Sequence, residues 1–172
     1  MERAFKFRIY PNSKQAEFIN KTIGCSRFVY NYFLDAKNKY YDENHKSLSY
    51  NKCSKLLTEL KRNDDTIFLK EADKFSLQNS LKDLGTAFER FFKGESGYPK
   101  FKSKRRSKLS YRTNLTNNNI EVFENKIKLP KLGLVKRRGH KHISFDKIVS
   151  ATISKSRSDK YYCSLEKLKL NL

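Results

Sequence analysis

The sequence predicts an α+β fold: a small β-barrel or sheet formed by both ends of the chain, with a bundle of about four helices inserted between them. Three observations lead there. Ala4–Tyr10 alternates strictly, apolar then polar or basic, as a half-buried strand does. Across residues 12–91 apolar side chains recur at helical spacing. Beyond about residue 110 the period returns to two. A lone N-terminal strand is not stable by itself. Its partners must come from the strands past residue 110, so both ends of the chain share one β domain.

In the first strand Phe5, Phe7 and Ile9 point one way, and Lys6, Arg8 and Tyr10 the other, until Pro11 ends it. Asn12 with Gln15 three residues on has the form of a capping box. Ala16, Ile19 and Ile23 mark a first helix that Gly24 interrupts, and Val29, Phe33, Ala36 and Tyr40 mark a second. Ser49 caps a third, with Cys53, Leu56, Leu57 and Leu60 on its apolar face. Leu77, Leu81, Leu84, Phe88 and Phe91, at spacings of four and three, give the clearest stripe, that of a bundle core. Gly94 and Gly97-Tyr98-Pro99 punctuate the chain. Residues 120–123 and 126–129 read as strands about the turn Glu124-Asn125; 148–154 and 161–165 are two more, joined by a polar turn. The expected domains are a β domain of residues 1–11 and 97–172 and a helical domain of residues 12–96.

The charge narrows the function. Lys and Arg number 38 against 18 Asp and Glu, a net +20 over 172 residues, which calls for a polyanionic partner. Aromatic residues at 13% argue against a disordered tail. No apolar run approaches the roughly 18 residues that span a bilayer, and Met1-Glu2-Arg3-Ala4-Phe5 has no signal-peptide character. Secreted, membrane and collagen-like classes are excluded on this reading. Cys25, Cys53 and Cys163 are scattered and odd in number, which suits a reducing cytoplasm better than a disulfide framework.

The strongest local signal lies between Glu95 and Glu121, where no carboxylate occurs. Lys100, Lys102, Lys104, Arg105, Arg106, Lys108 and Arg112 are interleaved there with Tyr98, Phe101 and Tyr111. Cations neutralise phosphates and rings stack on unpaired bases. A second cluster, Lys131, Lys136, Arg137, Arg138 and Lys141, and the basic face of the first strand, Lys6 and Arg8, extend this into one basic groove. In the polar tract Thr113-Asn114-Leu115-Thr116-Asn117-Asn118-Asn119, composition leaves base reading and a plain turn equally open. No metal site is expected: there is no CxxC pair, and His140-Lys141-His142 lacks a third ligand nearby. Asp64, Asp65, Asp73, Asp83, Glu124, Asp146, Asp159 and Glu166 form no convergent carboxylate set, and no Gly-rich phosphate loop is present. No catalytic residue and no cofactor are assigned.

Taken together, several motifs resemble the TnpB (OrfB) family of insertion sequences. They are Phe7-Arg8-Ile9-Tyr10-Pro11-Asn12, Arg27-Phe28-Val29-Tyr30-Asn31, Leu48-Ser49-Tyr50, Leu56-Leu57-Thr58-Glu59-Leu60-Lys61 and Leu77-Gln78, then Gly97-Tyr98-Pro99-Lys100-Phe101-Lys102, Ser110-Tyr111-Arg112-Thr113 and Ile127-Lys128-Leu129-Pro130-Lys131-Leu132-Gly133. The resemblance runs to about Ser164. It implies a wedge-type β domain split by a helical recognition block with helix-turn-helix character. It implies binding of an RNA made from the transposon end and of double-stranded DNA at a short target-adjacent motif. By similarity Tyr50, Lys74, Gln78 and Thr116 read that motif, while Tyr98, Phe101, Tyr111, Asn118 and the basic residues above are the expected contacts to RNA or backbone. The family's RuvC-like nuclease domain, with its Asp, Glu, Asp metal set, and its zinc ribbon have no counterpart in this sequence. The expected role is therefore nucleic-acid binding without nuclease activity, in the bacterial cytoplasm at the nucleoid. The alternatives are one part of a split nuclease, with the RuvC part in trans, or a non-functional transposon remnant.

Overall fold

A computed structural model describes residues 4–139 and 147–168. The chain falls into two compact units. One holds the chain up to Lys21 and from Lys108 onward, and the other is Thr22–Ser107.

The first unit is a seven-stranded antiparallel sheet: β1 Ala4–Tyr10, β2 Leu109–Asn114, β3 Glu121–Val122, β4 Lys126–Leu129, β5 Gly133–Arg137, β6 Ile148–Lys155 and β7 Tyr161–Lys167. Its order is β2-β6-β7-β1-β5-β4-β3, so it is an open sheet rather than a closed barrel, with β2 and β3 at the edges. The N-terminal strand lies inside it, between β7 and β5. Alternation sets the register. Phe7 faces Cys163, Cys163 faces Ile153 and Ile153 faces Tyr111, all buried on one side of the sheet. β2 and β5 were not separable from the basic and polar tracts in sequence, because their inward residues include Thr113 and Arg137.

The helix α1, Ser13–Asn44, starts in the sheet unit. Its capping box is reciprocal: Asn12 N donates to Gln15 Oε1 and Gln15 N to Asn12 Oδ1, both at 2.9 Å. The same Gln15 amide donates from Nε2 to the carbonyls of Leu132 (3.1 Å) and Leu134 (2.9 Å), tying the start of the helix to the β4–β5 turn. The expected break at Gly24 does not occur; α1 runs through it. A helix-interior glycine costs about 1 kcal/mol relative to alanine. The buried Ile19, Ile23, Val29 and Phe33 on either side outweigh that. Hence the four expected helices become three, with a 3₁₀ turn at Ile67–Glu71.

In the second unit α2, Tyr50–Leu60, is capped by Ser49, whose hydroxyl accepts from Lys52 N. α3, Lys74–Phe92, is capped by the buried Asp73, whose carboxylate accepts from Phe75 N at 2.8 Å. Val29, Phe33, Leu34, Leu57, Leu69, Leu77 and Leu84 form its fully buried centre. Both caps fix where the helices begin, and so place Tyr50 and Lys74 at the first position of each.

All three cysteines are buried free thiols, and burial pushes Cys163 up to about 12. The native chain is expected to leave all three unmodified by a thiol reagent such as DTNB, and to titrate three thiols once guanidinium unfolds it. Early reaction of Cys163 before unfolding would contradict its buried place across from Phe7.

Candidate nucleic-acid interface

The face of the sheet opposite Phe7, Ile153 and Tyr111 carries a different chemistry. Strand alternation and cross-strand register bring Lys6, Arg8 and Tyr10 of β1 alongside Ser164 and Tyr162 of β7, and Arg112 of β2 beyond Thr152. On the other side of β1, Tyr10 lies opposite Lys136, which lies opposite Lys126; Lys128 follows on the same face. Lys6, Lys126, Lys128 and Lys136 are all exposed. Lys6 Nζ sits 4.9 Å from the centre of the Tyr162 ring, and the Arg8 guanidinium 5.1 Å from that of Tyr10. Arg8 Nε is buried with no hydrogen-bond partner among the described residues. The acids on this face are Glu166, bonded to Ser150 Oγ at 2.7 Å, and Glu121 at the edge. Two lysines directly opposite each other in a sheet repel. A predominantly basic face that keeps such a pair is suited to a polyanion.

The basic segment of residues 98–106 belongs to the helical unit, and its members differ. Asn31 grips the backbone of Lys102 twice, donating to its carbonyl at 2.8 Å and accepting from its N–H at 2.7 Å. The Lys102 ammonium turns onto the Tyr30 ring at 4.1 Å, and loss of solvent lowers its pKa while Asp83 opposes the shift. Lys102 therefore anchors the segment rather than leading it. Tyr98 is likewise engaged: its hydroxyl donates to Asn38 Oδ1 and its ring packs edge-on to Phe88 and Phe91. Lys100, Phe101, Lys104, Arg105 and Arg106 stay exposed, the last three on a turn closed by Ser103 and Ser107.

Of the four expected motif readers, the structure joins two. Tyr50 Oη donates to Gln78 Oε1 at 2.8 Å, across α2 and α3 on an exposed face. Ser54 holds the same amide. Lys74 is exposed one helical turn before Gln78 on α3. Thr116 lies in the sheet unit, in the turn after β2. That turn is built by its asparagines: Asn117 and Asn118 have φ of 48° and 56°, and Asn119 Oδ1 accepts from Thr116 N at 2.8 Å. Thr116 and Asn118 are exposed on it, and Lys131 is exposed on the β4–β5 turn.

Tyr111 and Arg137, expected at the nucleic acid, are buried instead, because both fall on the inward phase of their strands. Arg137 Nε donates to the Phe123 carbonyl at 2.8 Å and Nη1 to that of Arg138 at 3.2 Å, over the Phe7 ring. Burial lowers its pKa and Glu124 opposes that. Its neighbour Arg138 is exposed. Arg137→Met should cost about 2–4 kcal/mol of stability in urea titrations, since it removes the side-chain donor from two carbonyls, and leave nucleic-acid affinity unchanged. Lys141 and the pair His140 and His142 lie outside the described residues. Among the described residues no group of three His, Cys, Asp or Glu could hold a metal ion.

Sequence reading missed Lys126, Lys128 and Tyr162. In isolation they are ordinary strand residues; only the pairing of β4 with β5 and β7 with β1 puts them on the basic face.

Residues 1–46, which span β1 and α1, match a family of the OrfB type described as a helix-turn-helix domain. A protein of Streptomyces pristinaespiralis named as an RNA-guided DNA endonuclease is 39% identical over 110 residues, covering 64% of this chain and 27% of that protein. InsQ of Escherichia coli K12, also named as an RNA-guided DNA endonuclease, is 32% identical over 168 residues, covering 95% of this chain and 40% of InsQ. The virulence protein VsdF of Salmonella dublin is 34% identical over 113 residues, 60% of this chain and 95% of VsdF. The chain thus spans less than half the length of the two endonucleases. With the OrfB-type match at its N-terminus and a match to InsQ along nearly all of it, the chain belongs to the TnpB/OrfB family and carries that family's N-terminal region.

Proposed function

We propose that this chain is the nucleic-acid-binding part of a TnpB-type protein, which holds a transposon-end RNA and reads a short DNA motif without cutting DNA itself. The observation that carries the reading is the predominantly basic outer face of the sheet, where Lys126 and Lys136 stand directly opposed. Such a face gains from releasing counterions off a phosphate backbone. The aromatic rings of Tyr10 and Tyr162 beside it offer stacking to unpaired bases. In the helical unit, the Tyr50–Gln78 pair near Lys74 supports reading of a duplex, since Gln pairs with adenine and Lys with guanine in the major groove. In the sheet unit the exposed Thr116 and Asn118 are polar groups open to nucleic acid. A nuclease part supplied in trans fits the same binding role.

The test is RNA co-purification. The chain is expressed together with its flanking genomic DNA, washed at moderate salt, and the retained nucleic acid is sequenced. Enrichment of one discrete RNA from the neighbourhood is the expected outcome. Retention of bulk cellular RNA alone, lost steeply as salt rises, overturns the guide-RNA reading and leaves a generic basic surface.

A further inference from the structure

One aromatic groove in the helical unit has no part in the sites above. Gly24, Arg27, Phe28, Asn31 and Tyr32 lie on one face of α1 and line it with Phe68 of the 3₁₀ turn, around about 530 Å³. Its walls are rings. Phe28 lies nearly parallel to Tyr32 at 5.9 Å between centres and meets Phe68 edge-on at 5.4 Å. Tyr32 and Phe68 are each about two-fifths exposed (42% and 41%), so they present stacking surface to the outside. Arg27 is half-buried and makes no hydrogen bond or ion pair among the described residues. Asn31, which also lines the groove, is the residue that holds the basic segment by the backbone of Lys102. Gly24 supplies the remaining space. A Cβ there would meet nothing within 4 Å, so alanine would fit without clash and strengthen the helix. The glycine keeps the groove deep at the expense of the helix.

We propose that this groove takes one unpaired nucleobase of a single-stranded nucleic acid, stacked on Tyr32 and Phe28, with Arg27 on an adjacent phosphate. The charge selects this occupant over an apolar side chain of another protein: an unpaired guanidinium in the lining, and a basic segment held at Lys102 by the lining residue Asn31, match a phosphate chain. Every base has a π-face, so the site is expected to be indifferent to sequence. The inference rests on the nucleic-acid reading given above and deepens it.

Its test uses the full chain and two labelled probes, a short oligouridylate and a blunt DNA duplex, measured by fluorescence anisotropy. Gly24→Leu fills the groove from a position with free space, and Tyr32→Ala removes the stacking ring. Each should weaken oligouridylate binding by about tenfold or more and change duplex binding by less than about twofold. Gly24→Leu should melt no lower than the wild type, which separates the effect from misfolding. Arg27→Gln should flatten the salt dependence of oligouridylate binding by about 0.7 in the log–log slope. Wild-type affinity of Gly24→Leu and Tyr32→Ala for oligouridylate overturns the proposal and leaves the groove to a protein partner. An equal loss on both probes overturns it as well, because a base site is blind to a closed duplex. If the wild type binds neither probe, the nucleic-acid reading itself falls, a result distinct from failure of the groove variants alone.

Discussion

A variant with Lys6, Lys126, Lys128 and Lys136 all replaced by glutamine is expected to bind RNA with a salt dependence flatter by about three in the log–log slope. The four ammonium groups are exposed on one side of the sheet. Each phosphate contact contributes about 0.7 to the slope on single strands and about 0.9 on duplex. Extrapolated from molar salt, that amounts to an affinity loss of about a thousandfold near 0.1 M. Stability should move the other way. Lys126 faces Lys136 directly, so removing the pair relieves a repulsion of about 0.2–1 kcal/mol. Weaker binding with an equal or higher melting temperature marks a surface shaped for a partner. An unchanged slope removes this face from the interface.

Gln78→Ala should erase discrimination among target-adjacent DNA sequences while sparing RNA affinity. A bidentate amide–base contact is worth about 1–3 kcal/mol of discrimination, or roughly 5- to 150-fold between the preferred and a mismatched motif. The Tyr50 and Ser54 hydroxyls hold the Gln78 amide in one orientation, at 2.8 Å and about 3.5 Å. Tyr50→Phe should accordingly lose part of the discrimination by freeing the amide. Binding selection from a randomised duplex library reads both. If Gln78→Ala selects the same sequences with the same enrichment, the motif is read elsewhere.

Local chemistry made much of this fold legible. The alternation of β1 and the Asn12–Gln15 capping box were readable because both are short-range patterns, and both appear as expected. The stripe of Leu77, Leu81 and Leu84 pointed to a buried helix face, and all three are buried on α3. Gly24 misled, because a glycine's local cost says nothing about the tertiary packing that overrides it. Tyr111 and Arg137 misled for a related reason. Their chemical type suggested a surface, and only strand phase decides which way a side chain turns. Tyr50 and Gln78 are 28 residues apart, and nothing in the intervening residues announces that α2 and α3 bring their side chains into contact. The family resemblance singled them out where physics applied to the sequence alone gave two surface polar residues.

The position of β1 in the sheet sets an order of assembly. Ala4–Tyr10 is synthesised before either of its partners: among the described residues it pairs with Gly133–Arg137 and Tyr161–Lys167. The contacts within Thr22–Ser107 are more local and complete earlier. During synthesis the first strand therefore waits, with both hydrogen-bonding edges unsatisfied, while the helical unit closes behind it. Loss of β7 leaves that strand with one partner instead of two. Nascent chains cut short before Tyr161 are thus expected to expose a β-edge and seek another chain, making them the aggregation-prone species of this protein.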